Sequence, residues 1–200
     1  MSFIYAQSFI DSGLTYTAYK QHVNDTLAQP PVDDNAAKLR TRMQENIKLM
    51  NYYDHEYVVS DISKKAVAES PDSIWLVIAE GWCADAAFNM PMMAAIERSL
   101  PKKIILRIFL RDSNPELIDA NLTDGGRSIP KLIILDKDLQ EMATWGPRPA
   151  GLHAKVQAWR EKGLTMKQII PKIHAWYDAD ASRSFQKELE WVLAKLSVEN

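Results

Sequence analysis

Hydrophobic and polar positions follow different rhythms along this chain, and each rhythm marks a kind of element. The unbroken apolar run Ile74, Trp75, Leu76, Val77, Ile78 is long enough for one buried strand and too short for a typical helix. After it, Ala84, Ala87, Phe88, Pro91, Met92, Ala95, Ile96 and Leu100 recur at helical spacing, which predicts a helix over 83–100. Apolar runs at 104–110 and 131–135 predict two further strands. Between them Asn114 is placed to cap a short helix, with Pro115 at its first position, where a missing N–H costs nothing. Asp136, Lys137 and Asp138 turn the chain into 139–145, giving an antiparallel hairpin. Gly146, Pro147 and Pro149 then end that strand and start a helix reaching Lys162. The order predicts an α/β domain: a mixed sheet covered by helices on both faces, with its first βαβ unit parallel.

The flanks read as helical. Residues 1–55 form an N-terminal extension in which Asp11, Ser12 and Gly13 cap a helix running to Leu27, stopped by Gln29, Pro30 and Pro31. Asp33, Asp34 and Asn35 cap a second helix with a stripe of Ala36, Leu39, Met43, Ile47 and Met50. Tyr57, Val58 and Val59 predict a short strand, and 61–67 a short helix. The central domain occupies 56–163 and a C-terminal helical extension 164–200. There Thr165 caps a segment interrupted by Pro171, and Phe185, Leu189, Val192, Leu193 and Leu196 make another stripe. Two uses are open for the terminal stripes: packing on the domain, or homo-oligomer contacts that include Trp159, Trp176 and Trp191. Tyr52, Tyr53 and Tyr57 lack interleaved basic residues and read as packing aromatics.

Composition narrows the class of function. A formal net charge of −2 with no Lys/Arg cluster argues against nucleic acid as a partner. The absence of a basic stretch followed by a long apolar one at Met1, and of any bilayer-length apolar run, gives no membrane and a cytoplasmic location as the expectation. His22, His55, His153 and His174 show no ligand spacing with one another or with the cysteine, so no metal and no cofactor are expected. Gly125 and Gly126 precede a strand without a following Lys-Ser/Thr, which rules out a phosphate loop. No hydrolase arrangement stands out.

One residue carries distinctive chemistry. Cys83 is the only thiol, so an internal disulfide framework is excluded. It falls at the corner where the strand 74–79 turns into the helix 83–100, where unpaired N–H groups and the macrodipole favour thiolate over thiol. The bland alternative is a small buried hydrophobe. Asp85, two residues on, either complements the helix start or, by its charge, raises the thiol pKa or serves as a proton acceptor. Arg127 is either a cation that offsets Asp85 at the thiol or a solvated arginine paired with Asp124 or another carboxylate.

Trp82 immediately before Cys83, Pro91 inside the following helix, and Ile129-Pro130 leading into the strand 131–135 together resemble the thioredoxin-like superfamily. The resemblance implies that fold, with the helical extensions added, and an active-site corner of Trp82, Cys83, Ala84, Asp85 and Ala86. It implies a cis Ile129–Pro130 bond whose loop pairs with substrate backbone. It also makes 57–67 the start of the βαβ half that precedes the active-site helix and sets Gly146 beside the substrate groove. The departures are specific. Ala86 replaces the second, resolving cysteine, and Leu76 and Val77 stand where the preceding strand would carry a buried acid. The Trp-Cys-x-Asp motif is similar to a bacterial branch of the superfamily.

Two functions follow. In the first, Cys83 performs monothiol thiol–disulfide exchange with a protein or low-molecular-weight disulfide, an external thiol resolves the intermediate, and Arg127, Ile129, Pro130 and Gly146 hold substrate. In the second, the fold is a non-catalytic module that binds protein or peptide beside Pro130.

Overall fold

The computed structural model describes residues 3–198; Met1 and Ser2, at the head of the expected N-terminal extension, and Glu199 and Asn200, at the end of the C-terminal one, lie outside the described residues. In chain order the elements are α1 (Gln7–Ser12), α2 (Tyr16–Ala28), α3 (Asp34–Glu56), α4 (Asp61–Glu69), β1 (Ser73–Ala79), α5 (Ala84–Ser99), β2 (Ile104–Leu110), α6 (Pro115–Asp119), β3 (Lys131–Leu135), β4 (Glu141–Trp145), α7 (Ala150–Glu161), α8 (Met166–Asp180) and α9 (Arg183–Val198). The fold is α/β, a four-stranded mixed sheet with additional helices at both ends of the chain.

The sheet has the order β2-β1-β3-β4. β1 runs parallel to β2, Ser73 opposite Ile104 and Ala79 opposite Leu110, and antiparallel to β3, Ile74 opposite Leu135. Every residue of β1 is buried, as a central strand covered on both faces requires. β3 closes the hairpin with β4, with an irregularity between Ile134 and Leu135. α5 lies along α3 and is buried over most of its length; it keeps Pro91 inside it. The N-terminal helices pack through Tyr19, Val23, Met43, Ile47 and Met50, and the C-terminal pair through Ile169, Ile173, Tyr177, Phe185 and Leu189. The stripes of both flanks therefore join the same core as the sheet. Among the described residues no helix is long and apolar enough to cross a membrane.

Four local expectations need correction. Asp11 and Ser12 belong to α1 itself; α2 starts at Tyr16, capped by Thr15, whose side chain accepts from the Ala18 N–H at 3.2 Å. The segment Tyr57, Val58, Val59 forms no strand, although Tyr57 and Val59 are buried and Val58 is 76% exposed. At Ile108 the outer edge of β2 is taken by Leu14, through reciprocal backbone hydrogen bonds of 2.9 and 2.8 Å. Pro171 does not interrupt its segment: α8 runs through it, the loss of one N–H being offset by burial of Ile169, Ile173 and Tyr177 along one face. Asn114 precedes α6, but its side chain turns back to the Leu110 carbonyl at 2.8 Å and caps nothing.

Candidate functional site

β1 ends at Ala79, and Glu80, Gly81 and Trp82 form a tight turn that delivers Cys83 to the N-cap of α5. The turn closes on itself through the Cys83 N–H and the Glu80 carbonyl, 3.0 Å apart. It is also gripped from the N-terminal helices. Buried Asn46 of α3 donates to the Gly81 carbonyl at 2.9 Å, and a Cβ on Gly81 would stand 2.8 Å from Val23 and 3.3 Å from Met43. Close approach of α2 and α3 therefore requires glycine here. Trp82 is half-buried, with the Arg111 guanidinium 4.7 Å above its ring.

Cys83 is 8% exposed, and its thiol donates to the Ile129 carbonyl at 3.2 Å. This contact joins the corner to the Ile129-Pro130 loop, whose peptide is cis. Gly146 lies against the same loop: at φ +123° it has a backbone that L side chains rarely adopt, and an added Cβ would stand 2.2 Å from the Pro130 carbonyl oxygen. Beside Gly146 opens a groove of about 370 Å³, lined among others by Thr123, Asp124, Thr144, Arg148 and His153.

The helix start does not dominate the thiol. Burial pushes Cys83 up from 9.0 to about 12, and the Asp85 charge adds to the rise; the N–H groups of Ala86 and Asp85 and the Arg148 cation pull the other way and are outweighed. The expectation of a thiolate favoured by the helix start thus gives way to desolvation. Asp85 does stand in the first turn of α5, as expected, but it is buried there. It is 5% exposed and its carboxyl group is held above the usual carboxylate range by burial, against the lowering effects of Arg148 and Tyr177. Arg148 reaches its Oδ2 at 2.6 Å, and the Tyr177 hydroxyl donates to its Oδ1 at 2.8 Å. Asn89 donates to Tyr177 at 2.9 Å and to the Asp85 carbonyl at 2.7 Å.

Of the residues singled out in the sequence, Trp82, Cys83, Ala84, Asp85 and Ala86 form the corner, with Ile129, Pro130 and Gly146 packed around the thiol contact. Arg127 stands apart from the thiol. It is exposed and makes a two-pronged pair with Asp119 of α6, both contacts 2.6 Å, while Asp124 pairs with His153 at 3.2 Å. Arg148 is the cation that acts on Cys83. Its signal in the sequence was its confinement between Pro147 and Pro149, beside Gly146. Asn46 and Tyr177 had none, since they reach the site from helices far away in sequence.

A family model described as thioredoxin matches residues 33–160, well over half of the chain. The chain belongs to the thioredoxin family. The match starts at the head of α3, so the stretch shared with the thioredoxin family includes the helix that holds the Gly81 turn through Asn46. No curated protein matches. A crystal structure of a protein of unknown function from Pseudomonas aeruginosa covers 96% of this chain and 99% of its own, with a TM-score of 0.61 and 16% identity. An HIV epitope-scaffold covers 99% of this chain and 96% of its own, with a TM-score of 0.52 and 16% identity. Both are similar to this thioredoxin-family chain in fold. Among the described residues no group of three or more His, Cys, Asp or Glu is placed to hold a metal ion.

Proposed function

We propose that this thioredoxin-family protein is a peptide-binding module, with the Ile129-Pro130 loop and the groove beside Gly146 as its binding surface. Arg148 lines that groove and Arg127 lies two residues before Ile129, each held by a carboxylate, Asp85 and Asp119 respectively. The observation that carries the reading is the setting of the thiol: it is buried and donates to the Ile129 carbonyl, and that burial pushes its pKa up to about 12. A thiol pKa of about 12 in place of 9.0 makes the thiolate about a thousandfold scarcer, and the higher nucleophilicity of a more basic thiolate recovers only some 15- to 30-fold. Exchange through the resting thiol is then roughly 30- to 60-fold slower than through a free cysteine. The thiol serves better as a fixed donor that shapes the loop.

Monothiol exchange is the second reading, favoured by buried Asp85 so near the sulfur. In it Asp85 accepts the Cys83 proton, the sulfur attacks a disulfide, one partner leaves as thiolate, and an external thiol releases the other. The two readings part in one experiment: alkylation of Cys83 as a function of pH, alongside binding of cysteine-free peptides to the wild type and to Cys83→Ser, followed by amide shifts at Ile129 and Gly146. The binding module predicts an alkylation midpoint above the free-thiol value and peptide-dependent shifts in both proteins. A midpoint well below it, with mixed disulfides formed by the wild type alone and no peptide shifts, would establish exchange instead.

A further inference from the structure

We propose that Tyr177 and Arg148 are positioning residues for Asp85, which makes the C-terminal helix α8 a working part of the Cys83 site. Each carboxylate oxygen has one partner: Oδ1 takes the Tyr177 hydroxyl at 2.8 Å and Oδ2 the Arg148 guanidinium at 2.6 Å. The second layer is equally fixed. Tyr177 is 1% exposed, its hydroxyl accepts from Asn89 at 2.9 Å, and its ring stacks on Phe88 with centroids 4.4 Å apart. Neither partner is a neighbour of Asp85 in sequence, and burying a carboxylate is costly unless its oxygens are satisfied. The clamp thus fixes where the negative charge stands relative to the sulfur. It gives the C-terminal helix a task beyond covering the core.

The charged and titratable groups that face this pair are few. Arg148 comes from the loop ahead of α7, and His174 and Tyr177 from α8. Tyr19 of α2 is close enough to feel both Cys83 and Glu80 of the turn after β1, and among the described residues its hydroxyl has no hydrogen-bond partner.

The test is the titration of Asp85 by carboxyl ¹³C NMR in the full chain, its resonance assigned as the one missing from Asp85→Asn. Tyr177→Phe is expected to raise the Asp85 midpoint, with about a tenfold gain in proton affinity for the loss of one hydrogen bond to a charged group. Ile173→Val, a buried change on the same helix, should leave it in place. Arg148→Gln is expected to raise it further than Tyr177→Phe. Because Arg148 lies in a loop, that variant carries the test should Tyr177→Phe fail to fold. An Asp85 midpoint unmoved in the folded variants, or moved equally by Ile173→Val, overturns the proposal. Peptide binding is a separate readout, so failure of the binding-module reading would leave this result standing.

Discussion

Replacing Asp85 with Asn separates two influences on Cys83 that the native site superimposes. The substitution removes a buried negative charge two residues from the sulfur but keeps the shape of the side chain and an oxygen that can accept from Tyr177. A like charge within the roughly 4–6 Å over which neighbouring charges move a pKa, at an effective dielectric of about 20, contributes about 3 kcal/mol, or about two pH units. Arg148 then acts on the sulfur without opposition, while desolvation, the largest cause of the rise, stays. The Cys83 midpoint is therefore expected to fall from about 12 by about two units and to stop above the free-thiol value. At pH 8 the thiolate becomes about a hundredfold more abundant and some six- to tenfold less nucleophilic, so alkylation should run about tenfold or more faster. The assay is the iodoacetamide rate against pH, with circular dichroism to confirm the fold, since Arg148 loses its charged partner. A midpoint unchanged or raised in a folded variant would refute the reasoning and leave burial alone in control of the thiol.

Gly146→Ala should lose roughly 2–6 kcal/mol in urea unfolding, about 1–3 for the left-handed backbone and about 1–3 for the collision with Pro130; a loss within error would mean that the loop yields freely. Asn46→Ala leaves the buried Gly81 carbonyl without its donor, and about 1–3 kcal/mol of stability should go with it. Faster hydrogen exchange at the Cys83 amide, which closes the Gly81 turn, is the more specific sign. Alkaline unfolding tests the thiol from another side. The folded state holds the Cys83 proton up to about 12 and the unfolded state releases it near 9.0, so this group's contribution is full below pH 9.0 and is lost as pH rises toward 12. Cys83→Ala should flatten the stability curve in that window by up to about 4 kcal/mol, and a curve parallel to the wild type would place the thiol near its ordinary value.

The elements with a strong period were legible in the sequence because their burial is one-sided or complete. The run at Ile74 became β1, the helical spacing after Cys83 became α5, and the stripe at Met43, Ile47 and Met50 became the packed face of α3. Tyr57, Val58 and Val59 misled because alternation of burial describes a residue's surroundings, whereas a strand also needs a partner edge, and Leu14 occupies part of the outer edge of β2. Within the site, the Trp82-Cys83 corner and Pro130 were readable as local motifs. The balance of forces on the thiol was not. It depends on how deeply Cys83 is covered and on Arg148, which lies 63 residues from Asp85 in the chain, and Tyr177, 92 residues away. Sequence spacing encodes neither desolvation nor which of two arginines will face an acid.

The Leu14 contact on β2 also bears on the protein's behaviour in a crowded solution. A bare strand edge is a template on which another chain can add, and sheets with two bare edges can grow without limit. Here two backbone hydrogen bonds at Ile108 blunt one side of the sheet, which leaves β4 as the other terminal strand. Any strand that joined at β4 would meet, on the far side of the molecule, a β2 edge already interrupted at Ile108. The N-terminal segment thereby shortens the free stretch of edge on which a second chain could add, as natural sheets do to discourage edge-to-edge growth.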